Sequence, residues 1–357
     1  MRILPGLLAA AAVTVVAVLL ASLFGAARVS PVTLAIVLGL AIGAVAGPRP
    51  ELRAGTAFAV KRLLRIGIIL VGIRLSLLDV LQLGAIGIPF VATIVVSAML
   101  LARFAARRLG VSEKFGLLTA AATSICGVTA ALATGPAIDA EEREVAYAVA
   151  NTTLFGLMAM LLYPWVARAV FGAGSVGAGL FLGTSIHDTS QVVGAALSYR
   201  QMFGDELAFK AATVTKLTRN LFLVAVVPLL GWLAHRRAAH APEARRPSLA
   251  SLVPLFVLGF VAMALARTLG DLTLARTGAA FGILDAAMWQ NLTRLLGDTV
   301  SGWLLATAMA GVGLSIDFRM FRQLGARPLA LGALVAIAVG ALGMVLATLV
   351  APWVTIG

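Results

Sequence analysis

The sequence predicts an all-α polytopic membrane protein of about eleven transmembrane helices, and three observations carry the prediction. Of its 357 residues 61% are hydrophobic and 12% are charged, more apolar surface than a soluble domain of that length needs to hide. Several apolar runs exceed the roughly 18 residues that mark a bilayer-crossing helix. The charges fall between those runs, with Lys and Arg collected in alternate connections. A transmembrane β-barrel would show short alternating segments instead.

Taken in order, the apolar segments cover 4–24, 31–47, 62–82, 84–105, 115–138, 144–170, 174–199, 208–234, 249–266, 292–316 and 327–351. The first follows a single charge, Arg2, and is long for a signal-peptide core, so it reads as an uncleaved span. The second connection carries Arg49, Arg53, Lys61, Arg62 and Arg65, and the fourth carries Arg107, Arg108 and Lys114. The eighth carries Arg236, Arg237, Arg245 and Arg246, and the tenth Arg319, Arg322 and Arg327. Odd-numbered connections hold acidic groups instead, such as Asp139, Glu141, Glu142 and Glu144, or Asp205 and Glu206. The positive-inside rule then places the N-terminus in the cytoplasm and the C-terminus outside a bacterial inner membrane. The 235–247 connection, basic and holding Pro242 and Pro247, reads as a flexible linker in which His235 and His240 are solvated.

The net charge of +13 belongs to those loops, and no basic patch with interleaved aromatics argues for a nucleic-acid partner. Cys126 is the sole cysteine, so neither an intrachain disulfide nor a multi-cysteine metal centre is available. No metal-ligand spacing, phosphate loop or nucleophile–base pair is visible either. The expectation is a protein without catalytic residues, metal or cofactor, hence not an enzyme. Its partners are a small inorganic or organic anion, the lipid bilayer and, in one reading, a second copy of itself.

The chain reads as one transmembrane transporter domain, 1–357, with repeat-like halves at about 31–170 and 174–351. Gly72, Leu75-Ser76, Gln82-Leu83-Gly84-Ala85 and Pro89 recur as Gly311, Leu314-Ser315, Gln323-Leu324-Gly325-Ala326 and Pro328. These segments lie an odd number of crossings apart, so the repeat is inverted, an arrangement typical of secondary transporters. Chance likeness between apolar helices is the competing reading.

Two segments are expected to be broken helices. In 115–138, Thr123, Ser124, Cys126, Gly127 and Thr129 precede Gly135-Pro136, a run that weakens a helix and frees backbone groups. In 174–199, Gly183-Thr184-Ser185-Ile186-His187-Asp188-Thr189-Ser190-Gln191 sets ionisable groups inside an apolar stretch, where each costs about 2.5–3.5 kcal/mol and is functional by default. Both share Thr-Ser-Ile, yet eleven crossings would make them parallel, contrary to an inverted pair. Lys216, Arg219 and Asn220 crowd one side of the next helix and require an anionic partner, either Asp188 or a substrate. A tilted helix with snorkelling cations is the alternative. Asn151, Thr152 and Thr153 either line the same cavity or join helices.

Carried on Cys126-Gly127, Thr129-Ala130, Pro136, Glu144–Tyr147, Phe155-Gly156, Tyr163-Pro164, Gly183–Gly194, Lys216 and Arg219-Asn220, the chain resembles the YeiH-like sulfate-exporter family of bacterial inner-membrane proteins. The run Gly313–Phe318 with Pro328 is also similar to sodium/bile-acid-type transporters. The resemblance implies inverted repeats, two crossing broken helices and an anion substrate.

The expected function is a secondary transporter exporting a small anion (sulfate, sulfite or sulfonate-like) by alternating access. Its substrate would contact Ser124, Cys126, Gly127, Thr129, Thr184, Ser185, His187, Ser190, Gln191, Lys216, Arg219 and Asn220, with His187 or Asp188 coupling a proton or cation. A sodium- or proton-coupled organic-anion importer and a passive anion channel are the alternatives.

Overall fold

The computed structural model describes residues 3–25, 29–47, 49–235, 255–317, 321 and 325–354. Most of the basic 235–247 connector, Arg319, Arg322 and Gln323-Leu324 lie outside the described residues. Among these residues the fold is all-α, with one isolated bridge between Ala280 and Leu284. Among the described residues, seven helices are long and apolar enough to cross a membrane, and Pro31–Ala46 and Val176–Ser185 are shorter apolar helices.

Helix α1 spans Leu4–Phe24 and α2 spans Pro31–Ala46, which Ser30 caps by accepting from the N–H groups of Val32 and Thr33. Helix α3 starts at Pro50, with Pro fitted to the first turn. It runs through a π turn at Ala59–Leu63 and Leu64–Val71 to a 3-10 turn at Gly72–Arg74. There the chain reverses, because Ser76 and Asp79 form a capping box that opens α4, Leu77–Leu109. The turn therefore sits at Leu75-Ser76 and not at residue 83, where hydropathy alone divides the segments.

The broken helices hold the main departure from the expected topology. Helix α5, Glu113–Ala121, continues through a π turn at Ala122–Cys126, stops at Gly127, and α6 follows as Val128–Ala137. If these arms were collinear, residues 114 and 139 would stand about 37 Å apart at 1.5 Å per residue. Instead the Lys114 ammonium donates to the Asp139 carbonyl, and Ser112 bonds the carboxylate of Glu144. The segment is thus a helical hairpin with both ends at one face and its tip at Gly127.

The second break behaves the same way. Helices α8, Val176–Ser185, and α9, Thr189–Phe203, flank the tip Ile186–Asp188. Their outer ends meet: Asp205 accepts from the N–H groups of Gly174 (2.9 Å) and Ser175 (3.2 Å), and the Tyr199 hydroxyl donates to Gly172 O (2.9 Å). Helix α10, Glu206–Leu221, leaves this base alongside α8 and parallel to it. A Cβ at Gly179 would sit 2.4 Å from Ala208 O, and one at Gly183 would sit 2.8 Å from Ala212 O, so only glycine admits this approach.

Between the two hairpins lies α7, Glu142–Phe171, about 45 Å long at the helical rise. Their bases therefore stand at opposite ends of the molecule while their tips point at each other. Segments 115–138 and 174–199, each expected as a crossing, return to the side they enter. This removes the conflict over Thr123-Ser124-Ile125 and Thr184-Ser185-Ile186: hairpins entering from opposite faces are antiparallel, as an inverted pair requires. Two lost crossings cancel in parity, so the basic connections stay on one side. The acidic run at 139–144 joins them, where Lys114 and Arg143 lie close by.

The remaining helices are α11 (Leu223–His235), α12 (Leu255–Thr277), α13 (Ala286–Arg294, extended through a π turn into Ser301–Ser315) and α14 (Ala326–Val350). Packing sorts the helices into two sets. One joins α1, α2, α3, α12 and α13. The other gathers α4, α7, α10, α11 and α14 around the two hairpins. In oriented vesicles, a cysteine at Ala140 should react with an impermeant maleimide from the same face as one at Gly110, and one at Ala173 from the opposite face. Labelling at 140 and 110 from opposite faces would restore the crossing.

Candidate functional site

The two tips meet at mid-bundle, and every residue singled out from the sequence as a substrate contact lies at a tip, in the turn on either side of it, or on α10 beside it. The backbone explains the arrangement. Helices α5 and α8 each end at a tip, so each aims unpaired carbonyls, worth about half a negative charge, at the junction. Arg219 and Lys216 on α10 satisfy both ends. The Arg219 guanidinium donates from Nε to Ser124 O (3.0 Å) and from Nη2 to Thr123 O (2.8 Å). Its Nη1 donates to Gly183 O (2.9 Å), Thr184 O (2.6 Å) and Ile186 O (2.8 Å). The Lys216 ammonium donates to Ile125 O (2.9 Å) and His187 O. Both side chains are 0% exposed.

Lys216 and Arg219, assigned by sequence to the substrate's charge, therefore spend their donors on backbone carbonyls. They do not snorkel, and neither pairs with Asp188. The hydroxyls divide likewise. Ser124 Oγ and Thr184 Oγ1 bond carbonyls of their own helices, at Ala120 and Leu180 (both 2.7 Å). Ser185 Oγ is buried without a partner, and the buried His187 ring lies beside the Thr123 carbonyl. Cys126 is a buried free thiol.

The arms leaving the tips, α6 and α9, turn positive N-terminal ends toward the same junction. The α9 end is closed. Asp188 Oδ1 accepts from the Ser190 N–H (2.9 Å) and hydroxyl (2.6 Å), and Gln191 Oε1 accepts from the Asp188 N–H (3.1 Å). Gln191 is itself fixed by donating to Thr153 O (3.3 Å), and Asn220 hydrogen-bonds Thr189 (3.2 Å). The α6 end is less closed: Gly127 at its N-cap has no side chain to offer, the Cys126 sulfur lies by the Ala130 N–H, and Thr129 in the first turn is exposed. Gly127 precedes it at φ +66°, with Asp188 Oδ2 2.8 Å from the position a Cβ would take. The first N–H groups of α6, an exposed threonine and a half-buried carboxylate thus share one place.

Sequence reasoning missed a second polar cluster, Arg74, Arg200, Glu206 and Asp298, at the base of the second hairpin. Asp298 lies within the apolar stretch 292–316, and an ionisable group at such a position was the available signal.

The family described as "Conserved hypothetical protein 698" matches residues 5–332. A UPF0324 membrane protein of Bacillus cereus is 32% identical over 318 residues, 88% of this chain and 85% of its own length. The UPF0324 membrane protein TauZ of Paracoccus denitrificans is 33% identical, covering 92% and 89%. RSc1111 of Ralstonia nicotianae, also a UPF0324 membrane protein, is 34% identical, covering 84% and 80%. No solved structure matches.

Proposed function

Since this chain belongs to the conserved hypothetical protein 698 family, whose relatives are UPF0324 membrane proteins, we propose that it is a secondary transporter of a small anion. The sulfate, sulfite or sulfonate class is the expected cargo, exported across the bacterial cytoplasmic membrane by alternating access, with the N-terminus cytoplasmic. The observation that carries this reading is the meeting of two opposed hairpin tips. Non-helical backbone at membrane depth is tolerated only where protein buries it or a cavity lines it, and paired helix breaks at mid-bundle are how carriers build ion sites. In this reading the set holding both hairpins shifts against the other set, exposing the tips to each side in turn.

Charge counting supports an anion. The two carbonyl ends and the two N–H ends at the tips offset each other. Two basic side chains, Lys216 and Arg219, then stand against one carboxyl group, Asp188, an excess of basic groups that favours an anion. A proton or cation taken up with the anion has its place at Asp188, the carboxyl group beside the tips. Asp188 is accordingly the coupling group. Substrate oxygens accept from the Val128 and Thr129 N–H groups and the Thr129 hydroxyl, while Lys216 and Arg219 hold the tips together rather than contact the cargo.

The test is counterflow in proteoliposomes with sulfate, sulfite, thiosulfate, taurine and small carboxylates at two pH values. We expect saturable exchange of at least one oxyanion, driven by an imposed pH gradient in the native protein. Asp188→Asn should retain exchange while losing the gradient's drive. No exchange of any of these anions by folded protein would overturn the reading.

A further inference from the structure

Away from the tips, the two helix sets share apolar packing, and at one end a row of polar contacts also ties them. Arg74 closes α3, and Asp298 lies in the π turn of α13, both in the set without hairpins. Arg200 near the end of α9 and Glu206 at the start of α10 belong to the hairpin set. The ion pairs cross between them: Arg74 with Glu206, Arg200 with Asp298 (3.0 Å), and Arg74 with Asp298 within its own set. Both guanidinium groups also lie over the Phe209 ring, at 5.7 and 4.9 Å from its centroid. Alongside, Ser30 and Thr33 of the α2 start bond α9 through Gln201 (2.6 Å) and Ser198 (2.8 Å).

We propose that this cluster is a latch that fastens the second hairpin to the stationary helices and closes the transporter at that end. Three properties fit a fastening that opens. Its members are only partly buried, with Arg74 and Arg200 at 16% and 15% exposure and Glu206 and Asp298 at 37% and 38%, so water can take over their hydrogen bonds when they part. The pairing is incomplete, since Glu206 Oε1 is buried without a partner. A cleft of about 170 Å³, lined by Pro31, Val32, Asp298 and Trp303 of one set and reached by Gln201 of the other, opens beside the cluster. Apolar packing joins the sets along the rest of the seam; this short row of charge pairs is the part whose hydrogen bonds water can replace. The chain also turns between the sets at Leu75-Ser76, directly beside Arg74, so α3 and α4 hinge where the latch closes.

The latch rests on the carrier reading for its purpose but not for its detection. Ser198 is 1% exposed between α9 and α2, so Ser198→Cys reports the seam, with Cys126→Ala removing the native thiol. Labelling by a charged maleimide would be followed on purified protein in nanodiscs, where both faces are accessible. We expect slow labelling with the latch intact and a rate at least about tenfold higher with Asp298→Asn. Arg200→Gln should give the same rise, and the double variant should add little, because both remove one fastening. Thermal unfolding identifies variants that merely loosen the fold. Fast labelling with the latch intact overturns the proposal, as does an unchanged rate in a folded double variant. If no anion is exchanged by the native protein while the labelling pattern holds, the transport reading fails and the latch stands.

Discussion

Replacing Arg219 with Gln is expected to unfasten both hairpins at once and to lower the melting temperature by about 10 °C or more. The side chain makes five hydrogen bonds to carbonyls of two separate breaks, so its loss leaves Thr123, Ser124, Gly183, Thr184 and Ile186 without this donor together. Removing one member of a buried charged network costs about 3–5 kcal/mol, a large part of the roughly 5–15 kcal/mol that holds a domain. The neutral amide keeps two donors against five acceptors and brings no charge to the carbonyl ends. Arg219→Lys separates the contributions: it keeps the charge but has one nitrogen in place of a planar fork, so stability should fall between the two. Melting curves on purified protein, read with gel-filtration profiles, check both. A Gln variant that melts with the native protein would show that the tips are held by packing alone, and Arg219 would return to the list of substrate contacts. Lys216→Met, which frees only Ile125 O and His187 O, should cost less.

The chain announces much of this. Lys216 and Arg219 stand out because cations inside an apolar stretch need a reason, whereas the Ser76–Asp79 capping box lies in an apolar run that hydropathy divides at residue 83 instead. What hydropathy cannot supply is direction. The stretches 115–138 and 174–199 are as long and apolar as true crossings, and a window average is blind to a chain that folds back at Gly127 or His187. The available clue was the shared Thr-Ser-Ile, whose parallel sense under eleven crossings contradicted inversion. The charge pattern could not expose the miscount, since two hairpins change the parity twice. The acceptors of Arg219 are likewise illegible, because carbonyls carry no sequence label: a buried cation asks for negative charge, and two helix ends supply it as well as a carboxylate or a substrate does. Asp298 was hidden for a related reason, as one charge in a long apolar run disappears in the average.

Gly127→Ala should separate transport from folding more cleanly than any change at the charged groups. Gly127 holds φ +66° and ψ −125°, a conformation essentially confined to glycine, and an added methyl would meet Asp188 at Oδ2 (2.8 Å), Cβ (3.0 Å) and Cα (3.1 Å). Those atoms belong to the opposite tip and are fixed by the α9 capping box, so they cannot yield separately. The backbone strain alone is worth about 1–3 kcal/mol, which the fold can bear; displacement of one tip from the other is what the site cannot bear. Anion exchange should therefore fall at least about tenfold, because a misplacement near 1 Å can cost about a hundredfold in a positioned site. The matched control is Gly110→Ala, at φ +64° in the C-cap of α4, where the nearest atom is the end of the Arg327 side chain at 3.5 Å. It imposes left-handed strain far from the tips and should lower stability slightly while leaving exchange intact. Equal exchange by Gly127→Ala and native protein would mean that the tips need not touch for anions to pass, and the binding place would have to be sought elsewhere in the bundle.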